Sequence, residues 1–344
     1  MRHSLFIGLV TVFVAAPALA EPDTVDVRVK TKAKVRHEWA ARFQDSRQGP
    51  EVTERFHRNV RLGATGSFEL SNVSGDVTVT GGGGDQVRIE AVKRVRSRHQ
   101  ENAKALLDEL RIEVSELPTR VEVRTVYPQN RRNYSGSVDY TIALPSGASA
   151  SVKTVSGNVR VTNVKGELRA ESVSGNVTTS GAGRLALAKS ISGDVDVTDA
   201  ASDSAVEVST VSGNVTARGL KARSLDLSSV SGNVLVSNVT SERAMAKSVS
   251  GNIEYSGPLA RAGRYEMNAH SGDVRLAVSN TSGFELDATT FSGEVRSDFP
   301  LTLRAGMDSG KGRRMNRSIR GSYGDAGAIV NLKSFSGNIV VTKQ

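Results

Sequence analysis

Ser156-Gly157-Asn158-Val159, Ser174-Gly175-Asn176-Val177 and Ser192-Gly193-Asp194-Val195 follow one another at equal spacing. The same tetrapeptide, with Asn, Asp or Glu third and Val or Ile fourth, returns at Ser212, Ser231, Ser250, Ser271 and Ser292, its steps lengthening only slightly. An early copy begins at Ser74 and a late one at Ser336. A short, regular period of this kind predicts one supersecondary unit stacked on itself.

Within a unit, Val159 and Val161 alternate with Arg160, Asn163 and Gly166 interrupt, and Leu168 and Ala170 alternate with charged residues. Two period-2 runs split by turn residues read as strands, and no room remains for a helix. One such turn cannot bury its apolar face alone, so neighbouring turns must share a core. The fold class is therefore all-β, a parallel β-helix (β-solenoid) of roughly 19–21-residue coils. Seven steps from Ser156 to Ser292 predict a stack of about 34 Å. Few aromatics among abundant Gly, Ser and Val predict a narrow core of small side chains.

Aligned coils stack like on like. The residue before each Ser runs Val155, Val173, Ile191, Val211, Val230, Val249, His270, Phe291 and Phe335, preceded by a hydroxyl row broken at Ala269. Gly157, Gly175, Gly213, Gly232, Gly251 and Gly337 suit a corner without space for Cβ. Asn158, Asn176, Asn214, Asn233, Asn252 and Asn338 beside them are read as a structural ladder of corner hydrogen bonds. An ion or sugar site is the alternative, but no coil supplies the neighbouring carboxylates that Ca²⁺ or acid–base chemistry needs. No cofactor or metal is expected.

Tyr140-Thr-Ile-Ala-Leu-Pro145-Ser-Gly-Ala-Ser-Ala-Ser-Val-Lys-Thr-Val-Ser-Gly157 and Gly324-Asp-Ala-Gly-Ala-Ile-Val-Asn-Leu-Lys-Ser-Phe-Ser-Gly-Asn-Ile339 carry a resemblance. They are similar to the opening and closing coils of the DUF4097 adhesin-domain family of bacterial envelope proteins, related to the auto-transporter adhesin head domain. The resemblance covers roughly residues 60–344. It implies a right-handed parallel β-helix, a hand that periodicity does not supply, and a family without agreed catalytic residues.

Residues 1–20 read as a secretory signal: Arg2 and His3, an apolar run from Leu5 to Ala15, then Ala18-Leu-Ala20. No Cys follows, so no lipid anchor is expected. The mature chain is expected to lack a transmembrane segment and to be exported, periplasmic or extracellular. Residues 21–60 are a charged lead-in, flexible or partly helical, in which Trp39 packs locally or anchors a partner. Residues 61–134 form N-terminal strands and a capping helix, a small α+β cap region, and 135–344 the solenoid. Gly81–Gly84 lacks the Lys-Ser/Thr and helix of a phosphate loop, and reads as a hairpin-like turn between Val77–Val79 and Val87–Val92. Ala103, Leu106, Leu107 and Leu110 make one apolar helical stripe, suited to covering an open end of the stack. The long gap between Ser292 and Ser336 reads as two further coils with a basic insertion near 304–324.

With a formal charge of +9, the chain favours acidic envelope polymers, a membrane surface or an envelope protein as partner, and export argues against nucleic acid. Arg304, Lys311, Arg313, Arg314, Arg317 and Arg320 form the candidate anion-binding surface, joined by Lys93, Arg94, Arg96 and Arg98. A solvated loop is the plainer reading of these charges. The five histidines show no metal-ligand spacing, and His270 either points outward or marks an irregularity. Two functions follow. The first is a non-enzymatic adhesin-like or scaffolding solenoid. The alternative is a polysaccharide lyase or hydrolase, which requires clustered carboxylates absent from the outward row Arg160, Thr178, Asp196, Thr216, Leu235, Glu254, Arg275 and Arg296. Protein recovered from its native envelope should begin at Glu21 by intact mass; a chain still carrying Met1 there would sink the signal reading.

Overall fold

The computed structural model describes residues 51–97, 100–128, 134–279, 282–303 and 317–344. The expected signal, most of the lead-in including Trp39, Arg98, and the basic residues Arg304, Lys311, Arg313 and Arg314 lie outside them. The described residues form a β-solenoid of two facing sheets, of 13 and 14 strands.

Each central coil contributes one strand to each sheet. In the coil around Gly157, Ser149–Ser156 lies in the second sheet and Val159–Thr162 in the first. Successive coils pair in parallel and in register: Val159, Val177, Val195, Val215, Val234 and Ile253 are consecutive partners. All six side chains are buried, and so is the row Val152, Ala170, Ala188, Val208, Leu227 and Ala246 in the second sheet. The alternation of the sequence thus becomes a dry interior between two sheets.

A second corner, the break read at Asn163, returns the chain to the second sheet. Asn163, Gly181, Asp199, Gly219 and Asn238 occupy it with φ between 49° and 66°, the left-handed region open to Gly and Asx residues. Large and small alternate for a reason. A Cβ on Gly181 would lie 2.5 Å from Asn163 Oδ1, and one on Gly219 2.4 Å from Asp199 Oδ1.

The N-terminal end departs from simple coiling. Its elements are β1 (Glu51–Arg61), β2 (Ser67–Ser71), β3 (Val77–Gly82), β4 (Gln86–Ser97), α1 (Gln100–Glu109), β5 (Arg111–Leu117), β6 (Arg120–Val126) and β7 (Tyr134–Pro145). The first sheet runs β1-β4-β7-β3 before the strand at Val159, and the second runs β5-β6-β2 before the strand at Ser149. The Gly81–Gly84 turn is therefore no hairpin: β7 lies between β3 and β4, parallel to one and antiparallel to the other. The glycines carry the chain past the place that β7 fills later. Strand structure also begins at Glu51, inside the expected lead-in. β1 lacks a clean apolar alternation because Glu54 and Arg58 share the parity of Val52, Phe56 and Val60. Each has a counter-ion, Lys93 at 3.2 Å and Glu116 at 2.6 Å. Helix α1 buries Ala103, Leu106 and Leu107, with Leu110 just beyond its end, and packs on β4 and β1, the two outermost strands of the first sheet at that end.

The C-terminal end corrects a second expectation. The segment resembling a closing coil, Ala328–Ser336 with Ile339–Lys343, does not close the stack. It inserts between the coil of Ser271 and the coil of Ser292, parallel to both. Ser318–Tyr323 then pairs antiparallel with Phe284–Ser292 at the outer edge, where a further coil was expected. Eight steps, about 38 Å, therefore separate the coils of Ser156 and Ser292, one more than the chain order implies.

The core is also wider than expected towards the C-terminal half. Tyr255 and Tyr265 are wholly buried, edge to face at 5.7 Å, within the lengthened coils that follow Ser250. The Tyr265 hydroxyl donates to Ser241 O at 2.8 Å and accepts from the Ala260 N–H at 2.7 Å, so its burial leaves no orphaned group. Val215→Asp would place an unpaired carboxylate in the interior and should cost on the order of 3 kcal/mol or more. Arg160→Asp on the outer face should cost under about 0.5 kcal/mol. Equal chemical-denaturation midpoints for the two variants would refute this register.

Candidate functional site

At the Ser-Gly corner, three rows of side chains run the length of the stack. The inner row is buried and fully employed in the central coils. Ser172, Ser190, Thr210, Ser229 and Ser248 donate to the carbonyls of Gly157, Gly175, Gly193, Gly213 and Gly232 at 2.8–3.0 Å. Across the corner, the Asx row accepts from the next coil. Asn158 Oδ1 takes the Asn176 N–H at 3.0 Å, Asn176 Oδ1 takes that of Asp194 at 2.8 Å, and Asn233 Oδ1 takes that of Asn252 at 2.9 Å. The backbones touch between these rows: a Cβ on Gly232 would lie 1.9 Å from Gly213 O.

The third row points outward. Val73, Val155, Val173, Ile191, Val211, Val230 and Val249 stand in successive coils, each 40–48 % exposed. The spatial order of the coils continues the row with His270, Phe335 and Phe291. Phe335 is 50 % and Phe291 64 % exposed. The three rings stack nearly parallel, His270 on Phe335 at 5.0 Å and Phe335 on Phe291 at 4.8 Å. His270 marks no irregularity; it points outward because its whole row does. Ten coils at strand spacing make an apolar ladder of nine steps, about 43 Å long.

Beside it runs a serine row: Ser156, Ser174, Ser192, Ser212, Ser231 and Ser250 are exposed and paired coil to coil. Among the described residues, none of these six hydroxyls hydrogen-bonds within the chain. On the other flank, two residues before the ladder and on the same face, stand Lys153, Lys189, Lys247 and Lys333. Lys153 is bridged to Glu171 at 3.2 Å.

Coil stacking also creates a carboxylate pair outside the outward row considered above. Glu207 and Asp226, from successive coils, are strand partners on the outer face of the second sheet. Burial raises the pKa of Asp226, Lys247 draws it back, and the Glu207 charge raises it further. Of the proposed basic surface, Arg320 is matched to Asp287 at 3.2 Å, and Arg317 offers its carbonyl to the Thr290 N–H at 2.8 Å. At the opposite end, Lys93, Arg94 and Arg96 pair with Glu54, Glu51 and Asp139. Arg94 and Arg96 also line a shallow cleft of about 300 Å³ with Glu51 and Ser74. The described members of the two basic groups, Arg317 and Arg320 on one side and Lys93, Arg94 and Arg96 on the other, thus stand at opposite ends of the stack, and all but Arg317 have a carboxylate partner. Among the described residues no cluster of three His, Asp or Glu could hold a metal ion, and no helix is long and apolar enough to cross a membrane.

The Toastrack DUF4097 family model matches residues 66–342, the two end crossovers included. The chain belongs to that family. No curated protein matches it. Among solved structures, this Toastrack chain is similar to a "putative adhesin" from Bacteroides fragilis NCTC 9343, at 15 % identity and TM-score 0.43, covering 84 % of this chain and 97 % of that one. A "putative adhesin" from Parabacteroides distasonis ATCC 8503 gives 14 %, 0.42, 86 % and 98 % for the same measures. A "putative lipid binding protein" from the same organism gives 10 %, 0.35, 85 % and 97 %.

The outward ladder of this Toastrack chain was legible in one signal, strand parity. Val155 shares its side with Lys153, not with Val152. The carboxylate pair was legible in the repeat as well, since Glu207 and Asp226 each stand five residues before the serine of consecutive coils, Ser212 and Ser231. Because the Asp226 pKa is raised in the folded chain, the proton-bound form is favoured there, and stability is lost as pH rises through that value. Asp226→Asn should therefore raise the thermal midpoint at neutral pH. The gain should close as pH falls below the ordinary 3.8, where both states carry the proton. A gain persisting unchanged in acid would refute the shift.

Proposed function

We propose that this chain is an exported, non-enzymatic module of the bacterial envelope that binds an extended partner along its apolar ladder, as an adhesin or scaffold. One observation carries the reading: an unbroken exposed apolar and aromatic row through ten successive coils. Water-exposed apolar surface is unfavourable, and a contiguous patch of it marks an interaction site. Nothing in core packing requires Ile191 or Phe291 to be apolar, since both side chains face outward. The basic balance, with Arg313, Arg314 and Arg317 in the C-terminal segment, supplies attraction to acidic envelope polymers. The Glu207–Asp226 pair stands on the open outer face of the second sheet, which favours a structural role for it over catalysis on an enclosed substrate.

The combined variant Ile191→Ser, Val211→Ser, Val230→Ser tests the ladder. Each change lies at an exposed position and should alter stability by no more than about 0.5 kcal/mol. Sedimentation of the parent with isolated bacterial envelopes should drop severalfold in the variant at unchanged circular dichroism and melting temperature. Equal sedimentation of parent and variant would overturn the proposal.

A further inference from the structure

We infer that the partner of this ladder is a linear glycan, laid along the solenoid axis with one sugar against each coil. The inference rests on the ladder being the binding surface and adds the class of ligand.

Three features narrow the class. The first is width. The ladder is one residue across and about 43 Å long, so with a same-face repeat of about 6.6 Å it offers only about 300 Å². That is well below the roughly 800 Å² per partner of a stable protein–protein interface. The apolar strip by itself is therefore too small to hold a second copy of the chain, and a thin linear molecule is the better match to its width. The second feature is period. Side chains on one face of an extended peptide recur every two residues, about 6.6 Å, against about 4.8 Å between coils. A peptide lying along the axis would lose register at the first step. An extended pyranose chain advances by nearly one coil spacing per sugar, so it drifts out of register far more slowly than a peptide. A helix has a closer pitch, but it buries its stripe in a groove, and this row stands at the corner where the chain turns between sheets.

The third feature is chemistry. Every coil from Ser156 to Ser250 offers one apolar side chain and, beside it, one exposed hydroxyl. The inner hydroxyls are consumed by glycine carbonyls, while the outer ones have no intramolecular partner among the described residues. A pyranose ring presents the complementary pair, an apolar C–H face and peripheral hydroxyls. Lys189 and Lys247 on the far flank add donors for those hydroxyls or for a uronate. At the C-terminal end, His270, Phe335 and Phe291 replace the aliphatic rungs with aromatic ones, whose faces are turned to one another so that their edges continue the ladder.

The test uses the full chain against three probes: chito-oligosaccharides, cello-oligosaccharides and oligogalacturonates, each from dimer to octamer, by titration calorimetry. Affinity in at least one series should climb with every added sugar, since each new ring meets a new coil. Ser192→Ala, Ser212→Ala, Ser231→Ala should weaken the octamer by about tenfold or more, given about 1 kcal/mol per hydrogen bond. The Ile191→Ser, Val211→Ser, Val230→Ser variant should weaken it at least as much. No binding in any series overturns the glycan assignment, as does binding independent of length or equal in parent and both variants. Phosphatidylglycerol vesicles form a fourth arm: flotation lost in the ladder variant, with no glycan binding, would transfer the site to a membrane surface. If the ladder variant still loses envelope sedimentation while no glycan binds, only the ligand class fails; if it sediments like the parent, the binding surface itself fails.

Discussion

The structure depends on how closely one coil can approach the next at the Ser-Gly corner. Gly213 O and the space a Cβ would need on Gly232 overlap at 1.9 Å, so a side chain there would push two coils apart. The same carbonyl receives the Ser229 hydroxyl at 2.8 Å from inside. Within the same corner, Asn214 Oδ1 takes the Asn233 N–H at 3.0 Å on the outer side. Close approach and satisfaction of buried polar groups are thus one requirement. Repeated through the central coils, it holds the lateral register and makes like residues stack.

Register then has consequences at the surface. Because rows are straight, any residue type fixed at one position of the repeat becomes a line on the molecule. The inner hydroxyls become a line of buried donors, the Asx residues a line of acceptors, and the residue before each serine a line of exposed apolar groups. A globular fold scatters such residues over unrelated loops. Here a preference of one position becomes a feature tens of ångströms long, whose spacing is the hydrogen-bonding distance between strands.

Both ends of the stack break the simple order, and for related reasons. An open solenoid end exposes strand edges and an uncovered core, a standing invitation to association. At one end β7 threads between β3 and β4 while α1 lays its leucines on β4 and β1. At the other, the last residues of the chain fill the place between two earlier coils, and an antiparallel strand covers the edge. The outermost coil is thereby locked by residues made after it.

The repeat, the alternation within it and the turn residues determined by themselves that this chain is a solenoid and that Val215 lies inside. Those are local properties: parity sets the face of a strand, and a glycine with no room for Cβ marks its corner wherever it recurs. Parity also contained the outward ladder, once Val155 is set beside Lys153 rather than beside Val152. Other features were decided only by tertiary structure. The C-terminal segment reads as a further coil, and nothing in Ser336-Gly337-Asn338-Ile339 distinguishes a last coil from an inserted one, because both make the same parallel pairings. The meeting of Phe335 with both His270 and Phe291 follows from which coil lies beside which. That adjacency is set by strand pairing across the stack, an interaction between residues distant in sequence, and so it carries no local signature.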